Sequence, residues 1–384
     1  MTELHLKKKI RLLHIVDNLD RGGTQTWLII LVKGLVKLGF EQHIYCLNEI
    51  FNPTIVQNLE TSGAKVTIVG RPRLYTLIGL VQLYQKIWDW QPDIVQTILP
   101  FSDMLGRPLA RLLGVPVIIS SIQARNAHKP RVQFFFDRLT APWADLFISV
   151  SRQAIPFAVG REGVPPEKVI YIANSIASDV PDCSRAGDII RARLGIQPKT
   201  VVLGMIARLV SKKAHQDLLA AYAMVINRYP ETVLILAGDG PLRSRLAQQV
   251  RQLGLESHVV FLGDRSDTFD LLAAMDLFVH PSLSEGMPHA VMEAMAAGLP
   301  VIASGVDGVQ DLIINDESGW LVEPGNPAAL ADRIIFALNN QALWPHIGQA
   351  AAHRIAAEFS PHKMVMAYHR VFREMLARAK TEPT

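Results

Sequence analysis

Cysteine, long apolar runs and metal-binding patterns are scarce in this chain of 384 residues. Its two cysteines, Cys46 and Cys183, are too few for a disulfide framework and lack metal-ligand spacing. No apolar run approaches the roughly 18 residues that a membrane-spanning helix needs, and the first residues lack a signal-peptide cleavage pattern. We therefore expect a cytoplasmic protein with no metal and no resident cofactor, which could also work at the inner face of the membrane.

Net charge is small over the whole chain but unevenly distributed. Residues 1–178 carry 20 Lys and Arg against 13 Asp and Glu, whereas residues 179–384 carry 19 against 22. A basic N-terminal half favours an anionic partner such as a phospholipid surface, a lipid pyrophosphate or an acidic saccharide. The alternative is an imbalance that the protein does not use. We do not expect nucleic acid as a partner, because no helix-turn-helix, zinc-finger or RNA-binding aromatic motif occurs.

Two series of short apolar runs alternate with helical patterns, one beginning at residues 10–16 and the other at 201–207. Strands that alternate with helices indicate parallel β-sheets in an α/β fold. The length exceeds what one hydrophobic core usually supports, and the polar, turn-rich stretch 178–196 is typical of a linker. The pattern predicts an N-terminal domain over 1–177 and a C-terminal domain over 197–358.

The most informative segment is PSLSEGMPHAVMEAMAAGLPVIAS at residues 281–304. It follows an apolar run typical of a buried strand, and Pro288 precedes a predicted helix over Val291 to Ala297. Glu285 would therefore lie in the loop and Glu293 inside the helix. One carboxylate accepts hydrogen bonds from two neighbouring hydroxyls, and the N–H groups at a helix start attract phosphate. This arrangement suits a sugar nucleotide, and the alternative is two surface glutamates beside an ordinary turn.

The segment resembles the Glu-x7-Glu element of the retaining glycosyltransferases of family 4. The resemblance implies the GT-B architecture, in which two Rossmann-like doubly wound domains face each other across a cleft, with a last helix, 361–380, returning to the N-terminal domain. It also implies that Glu285 approaches the transferred sugar and that Glu293 binds the ribose of the donor. The residues expected to complete this donor-binding loop are Gly286, Met287 and Pro288.

Two positive charges follow the first strand of the second series. Arg208 and Lys213 could neutralise a diphosphate and stabilise its charge as it departs, and family members carry an arginine and a lysine at this spacing. Ala207 and Ala214 occupy flanking positions that are usually glycine, and Lys212 is expected on the surface. The chain has no Asp-x-Asp, so we expect these cations to act in place of a divalent metal.

The N-terminal half supplies weaker candidates. Gly22 and Gly23 open a helix after the first strand, and the resemblance implies contact with the donor, although a tight turn is the common alternative. His128 could orient an acceptor hydroxyl or phosphate, or could be a solvent-exposed bystander. In the basic, aromatic stretch 129–138 we interpret the phenylalanines as core in preference to a membrane-contacting helix face.

The sequence as a whole predicts a retaining transferase of a hexose or N-acetylhexosamine from a UDP- or GDP-sugar. The expected acceptor is a saccharide or lipid-linked saccharide in envelope polysaccharide assembly. Two alternatives stay open. One is a nucleotide-sugar-binding scaffold subunit without turnover, and the other is a sugar-nucleotide epimerase on a related two-domain fold.

Overall fold

The computed structural model describes residues 9–70, 77–125, 129–176 and 180–381. The chain divides into two compact units, each considered below by itself. The N-terminal unit comprises residues 1–175 together with 361–384, and the C-terminal unit comprises residues 176–360. His128 lies outside the described residues. Within the described residues, no helix is both long enough and apolar enough to cross a membrane.

The N-terminal unit is built on a parallel sheet of seven strands in the order β3-β2-β1-β4-β5-β6-β7. Strand β1, the third in this order, pairs Ile10 with Phe40 of β2 and Leu12 with Ile94 of β4. Helices cover both faces, which explains why the strands are nearly continuous apolar runs. The strands are β1 (Ile10–Val16), β2 (Phe40–Cys46), β3 (Ala64–Ile68), β4 (Ile94–Ile98), β5 (Val117–Ile122), β6 (Leu146–Ser149) and β7 (Val169–Tyr171).

The helices of this unit fall on the two sides of the sheet. Its first six described helices are α1 (Gly23–Lys37), α2 (Pro53–Thr61), α3 (Leu77–Trp90), α4 (Pro100–Leu112), α5 (Arg131–Thr140) and α6 (Ile155–Glu162). One core contains α1 and α2, and a second core, on the opposite side, contains residues of α3, α4 and α6. Short 3-10 turns cover Ala141–Trp143, directly after α5, and Pro166–Lys168.

The C-terminal unit contains a parallel sheet of six strands in the order β10-β9-β8-β11-β12-β13. Its strands are β8 (Val202–Ile206), β9 (Val233–Ala237), β10 (Val259–Gly263), β11 (Leu277–His280), β12 (Val301–Ser304) and β13 (Trp320–Val322). Its helices are α7 (Ser184–Arg193), α8 (His215–Ile226), α9 (Arg243–Gln252), α10 (Thr268–Ala273), α11 (His289–Ala296), α12 (Asp307–Leu312), α13 (Pro327–Asn339) and α14 (Trp344–Glu358), with 3-10 turns at Ser211–Lys213 and Gln341–Leu343. Because the strands are parallel, their carboxyl ends share one edge, where the ligands of such sheets usually bind.

The last helix, α15 (Pro361–Thr381), belongs to the N-terminal unit. It buries Met364, Tyr368 and Phe372 in the core that contains α1. The Tyr368 ring lies 5.8 Å from that of Trp27, measured between centroids. The final helix therefore supplies a substantial part of the hydrophobic core of a unit whose other residues come from the start of the chain.

The stretch predicted as a linker, 178–196, contains the helix α7. Arg191 of α7 forms a 2.6 Å ion pair with Asp276 and donates a 2.9 Å hydrogen bond to the Ala274 carbonyl. A Cβ atom at Gly187 would lie 2.5 Å from the Ala273 carbonyl oxygen. The helix is thus held by polar contacts and close backbone packing, neither of which leaves an apolar periodicity in the sequence.

The interpretation of the Phe-rich stretch as core is wrong for its central residues. Phe135 is 62% exposed and Phe136 is 37% exposed, whereas Asp137 and Thr140 of the same helix are buried. The reason is that α5 buries its polar side against charged groups of the unit.

Candidate active site

The candidate site lies at the carboxyl end of β11, where a loop leads into α11. Glu285 is in this loop and is 7% exposed, and Glu293 lies in the second turn of α11 and is partly exposed. Pro288 is the N-cap residue of α11, and its carbonyl accepts the first helical hydrogen bond, from Met292. The observed helix begins two residues before the predicted one.

A second element supports this loop from behind. Gly308 of α12 packs so closely on the loop that a Cβ atom there would lie 1.5 Å from the Gly286 carbonyl oxygen. Any other residue at position 308 would force the backbone beside Glu285 to move. Met287, next along the loop, is buried.

Glu285 is surrounded by groups that favour its charged form. Its Oε1 atom accepts hydrogen bonds from the Lys213 ammonium and from Nε2 of the buried His280, which is 2.9 Å away. Burial by itself would raise the pKa of Glu285, but the charge of Lys213 and the His280 hydrogen bond lower it well below its usual range. Burial lowers the pKa of His280, so its ring is neutral and Nε2 carries the donated proton. Oε2 has no partner within the described residues and can accept a ligand hydroxyl.

Glu293 has the opposite environment. No hydrogen bond or ion pair to its carboxylate occurs in the described part of the chain, and burial raises its pKa to about 7. A partly buried carboxylate without a compensating partner is expensive for a protein to keep. Such groups cluster where a ligand supplies the missing partner.

Positive charge gathers in the loop after β8. Arg208 is exposed and has no carboxylate partner within the described residues, and Lys213 lies in the 3-10 turn that precedes α8. Lys212, which is exposed, interacts electrostatically with Glu285, Lys213 and Arg208. Lys212 lies on the surface, as predicted, and it adds a third cation to this cluster.

The loop that carries Arg208 is fixed by its neighbour after β9. A Cβ atom at Gly238 would lie 2.0 Å from the Ala207 carbonyl oxygen, and the Leu209 amide donates a 2.9 Å hydrogen bond to the Asp239 carbonyl. Ala214, at a position usually glycine in the resembled family, has a positive φ of 53°. The family preference for glycine there is explained by this left-handed conformation.

Two histidines that sequence reasoning missed lie in the same region. His215 and His289 are the first residues of α8 and α11, are 1% and 8% exposed, and have no partner for either ring nitrogen within the described residues. Burial lowers the pKa of each to about 4, assisted in both cases by the charge of Lys213. Both rings are therefore neutral at physiological pH, and their nitrogen atoms are buried without a hydrogen-bond partner in the described part of the chain.

The predicted site residues are thus distributed between the two units. Those in the C-terminal unit are Arg208, Lys213, Glu285, Gly286, Met287, Pro288 and Glu293. Gly22 and Gly23 belong to the N-terminal unit, where Gly22 caps α1 in an extended conformation open to any residue. A Cβ atom at Gly22 would meet the end of the Gln25 side chain at 2.9 Å. His128 lies outside the described residues, and no cluster of three or more His, Cys, Asp or Glu side chains arranged for a metal occurs within them.

Known glycosyltransferase families match residues in both units. Residues 187–354 match the family Glycosyl transferases group 1, and residues 21–180 match Glycosyltransferase Family 4. The chain is 30% identical over 305 residues to EpsF of Bacillus subtilis (strain 168), which is named as a glycosyltransferase; the match covers 77% of this chain and 79% of EpsF.

A second relative is UDP-Gal:alpha-D-GlcNAc-diphosphoundecaprenol alpha-1,3-galactosyltransferase of Escherichia coli. It is 30% identical over 258 residues, which cover 64% of this chain and 66% of the relative's length. Among solved structures, Anabaena Alr3699/HepE in complex with UDP-glucose has a TM-score of 0.84 at 20% identity, covering 95% of this chain and 100% of that one. At this identity the likeness establishes the fold, which is that of a GT-B glycosyltransferase.

Proposed function

The chain belongs to the group 1 glycosyl transferases, and from this premise we propose that it transfers a hexose or N-acetylhexosamine from a UDP-sugar with retention at the anomeric carbon. The single observation that carries the proposal is the contrast between Glu285, which is held ionised by Lys213 and His280, and Glu293, which has no protein partner within the described residues. UDP is preferred over GDP because the similar Anabaena protein is bound to UDP-glucose and the similar Escherichia coli enzyme is named for UDP-Gal.

In this proposal Glu293 binds the ribose. Its carboxylate accepts hydrogen bonds from both ribose hydroxyls, which replace the partners that the protein does not provide. Arg208, Lys212 and Lys213 face the diphosphate together with the amide groups at the start of α11. Their charge neutralises the departing diphosphate, so transfer proceeds without a divalent metal.

Glu285 acts on the sugar. Its free Oε2 accepts a hydrogen bond from a sugar hydroxyl and orients the ring, while Lys213 and His280 fix its Oε1. The bond between the anomeric carbon and the diphosphate oxygen breaks, and its electron pair leaves with the phosphate. The acceptor oxygen bonds to the same face of that carbon, and its proton passes to the departing phosphate oxygen. No carboxylate acts as a covalent nucleophile.

The acceptor is a saccharide or a lipid-linked saccharide used in envelope polysaccharide assembly. The naming of the Escherichia coli relative for a diphosphoundecaprenol acceptor and the basic N-terminal half support this choice. Because the lipid of such an acceptor remains in the bilayer, we propose that the enzyme works on the cytoplasmic side as a peripheral membrane protein.

Calorimetric titration of the full chain with UDP, GDP and ADP in the presence of EDTA tests the donor assignment. We expect UDP to bind most tightly and EDTA to make no difference. Incubation with UDP-glucose, UDP-galactose and UDP-N-acetylhexosamines together with a polyprenyl-diphosphate-linked sugar should release UDP, and NMR should show an α-linked product. Binding without acceptor-dependent release would favour a scaffold subunit, and failure of all three nucleotides to bind would reject the site.

A further inference from the structure

An apolar stripe faces solvent along α5 and the turn that follows it. The exposed side chains are Val132, Phe135, Phe136, Leu139 and Trp143, of which Val132 and Phe135 are 61% and 62% exposed. Their spacing of three and four residues places them on one side of a helix. Isolated exposed apolar residues are common, but a contiguous patch of large side chains usually marks an interaction surface.

The opposite side of α5 is polar and buried. Asp137 forms a 2.9 Å ion pair with Lys129, which also pairs with Glu162 at 2.6 Å, and all three side chains are mostly covered. Thr140 accepts a 3.3 Å hydrogen bond from Arg107 of α4. Rotating the helix about its axis to bury its phenylalanines would expose or unpair these charges. The ion pairs therefore keep the apolar stripe facing solvent.

The exposed charges on α5 itself have one sign. Arg131 and Arg138 of α5 are exposed and have no carboxylate partner within the described residues, whereas the only acidic residue of the helix, Asp137, is buried. At the far end, the partly exposed Arg111 donates to the Trp143 carbonyl at 2.7 Å and forms a 3.0 Å ion pair with Asp145. Rings and aliphatic chains on one face, flanked by arginines, fit the boundary of an anionic bilayer.

We propose that the α5 face, meaning the exposed side of residues 131–143, docks the protein onto an anionic lipid surface. The apolar side chains enter the headgroup boundary, Trp143 lies at the polar interface, and Arg131 and Arg138 contact lipid phosphates. The inference deepens the proposed function, because it rests on an acceptor that remains in the membrane.

Co-flotation of the full chain with vesicles tests this proposal without donor or acceptor. We expect binding to vesicles of equimolar phosphatidylglycerol and phosphatidylcholine and little binding to phosphatidylcholine alone. Phe135→Ser with Phe136→Ser should reduce the partition coefficient roughly 100-fold or more. Arg131→Gln with Arg138→Gln should reduce it roughly 10-fold or more and flatten its dependence on salt.

The matched control is Phe336→Ser, which removes from the C-terminal unit a ring whose exposure, 41%, is close to that of Phe136, and it should leave flotation unchanged. UDP affinity of the Phe135→Ser/Phe136→Ser variant should equal that of the unmodified chain, which separates loss of docking from loss of the donor site. The proposal is overturned if anionic vesicles do not bind the chain, or if this variant floats as the unmodified chain does. It is also overturned if sedimentation shows that the face joins two copies of the chain and that lipid does not compete.

Discussion

Glu285 and Glu293 are the same residue type in one loop and helix, yet their surroundings drive their carboxylates in opposite directions. The spacing of eight residues predicted that the two would flank a helix start. It did not predict their charge states, because Lys213 lies 72 positions earlier and His280 belongs to the apolar run before the segment, where nothing marks it as a partner of Glu285. The alternation of strands and helices was therefore enough to locate the site. The charge states of its residues depend on contacts between segments that are distant in the sequence.

Removing the partner of Glu285 should destabilise the C-terminal unit. Lys213→Met leaves a buried carboxylate without its cation, and we expect the free energy of unfolding in urea at pH 7 to fall by about 2–4 kcal/mol. The pKa of Glu285 should rise at the same time.

The double variant Lys213→Met/Glu285→Gln provides the control. Because it removes both charges, it should recover most of the lost stability. Equal loss in the single and double variants would show that the ion pair is not what holds Glu285.

Glu293 should lower the stability of the unliganded protein. Its folded pKa of about 7 lies above the usual value of 4.5, so the folded state binds the proton more tightly. The resulting stabilisation is complete below about pH 4.5 and is lost as pH rises through 7. Glu293→Gln should therefore raise the free energy of unfolding by about 1–3 kcal/mol at pH 8 and much less at pH 5.

Urea titrations of both proteins at the two pH values measure this difference. The control is Glu317→Gln, at an exposed site in the same unit, which should change the free energy of unfolding little at either pH. A Glu293→Gln variant that is less stable at pH 8 would contradict the assignment of Glu293 as an uncompensated carboxylate.

At the scale of elements, the site depends on loops held by close backbone contacts. Gly308→Ala should displace the Gly286 carbonyl and hence Glu285, because the new Cβ atom would lie only 1.5 Å from that carbonyl oxygen. We expect turnover to fall by roughly 10-fold or more, as a shift of about 1 Å can disable a catalytic group. Gly305→Ala in the same segment is the matched control, since its Cβ would make an ordinary 3.6 Å contact with the Gln310 side chain. Similar turnover in the two variants would reject this role for Gly308.

The strands were predictable because each is a short apolar run covered on both faces, and β1 begins and ends where the sequence indicated. Two helices were not. The α7 helix lies in a polar segment that resembles a linker. The α5 helix buries a charged residue, Asp137, and exposes an aromatic one, Phe135, which is the reverse of the usual pattern. An ion pair with Asp276 holds α7, whereas α5 is held by the ion pair with Lys129 just before it and by the hydrogen bond from Arg107. Local periodicity reveals none of these contacts.

At the scale of the whole molecule, the chain builds separate cores, and one of them includes the chain's last helix. Phe372→Ala in α15 should cost about 3–5 kcal/mol, because the ring is fully buried beside Phe40 and Tyr368. Hydrogen exchange should show the loss of protection in β1 and β2, with β8 and β11 little changed. Trp320→Ala, in the core of the C-terminal unit, should give the reverse pattern. Loss of protection in β8 and β11 alone after Phe372→Ala would contradict the assignment of α15.

The roles of the two glutamates are best tested by calorimetry, with the dissociation constant of UDP measured side by side for Glu293→Gln and Glu285→Gln. In the proposed mechanism Glu293 binds the nucleotide and Glu285 binds the sugar. We therefore expect Glu293→Gln to weaken UDP binding by roughly 10- to 150-fold, the equivalent of one charge-assisted hydrogen bond, while Glu285→Gln leaves it within about threefold and instead reduces turnover. Equal losses of UDP affinity in the two variants, or none in Glu293→Gln, would contradict this mechanism.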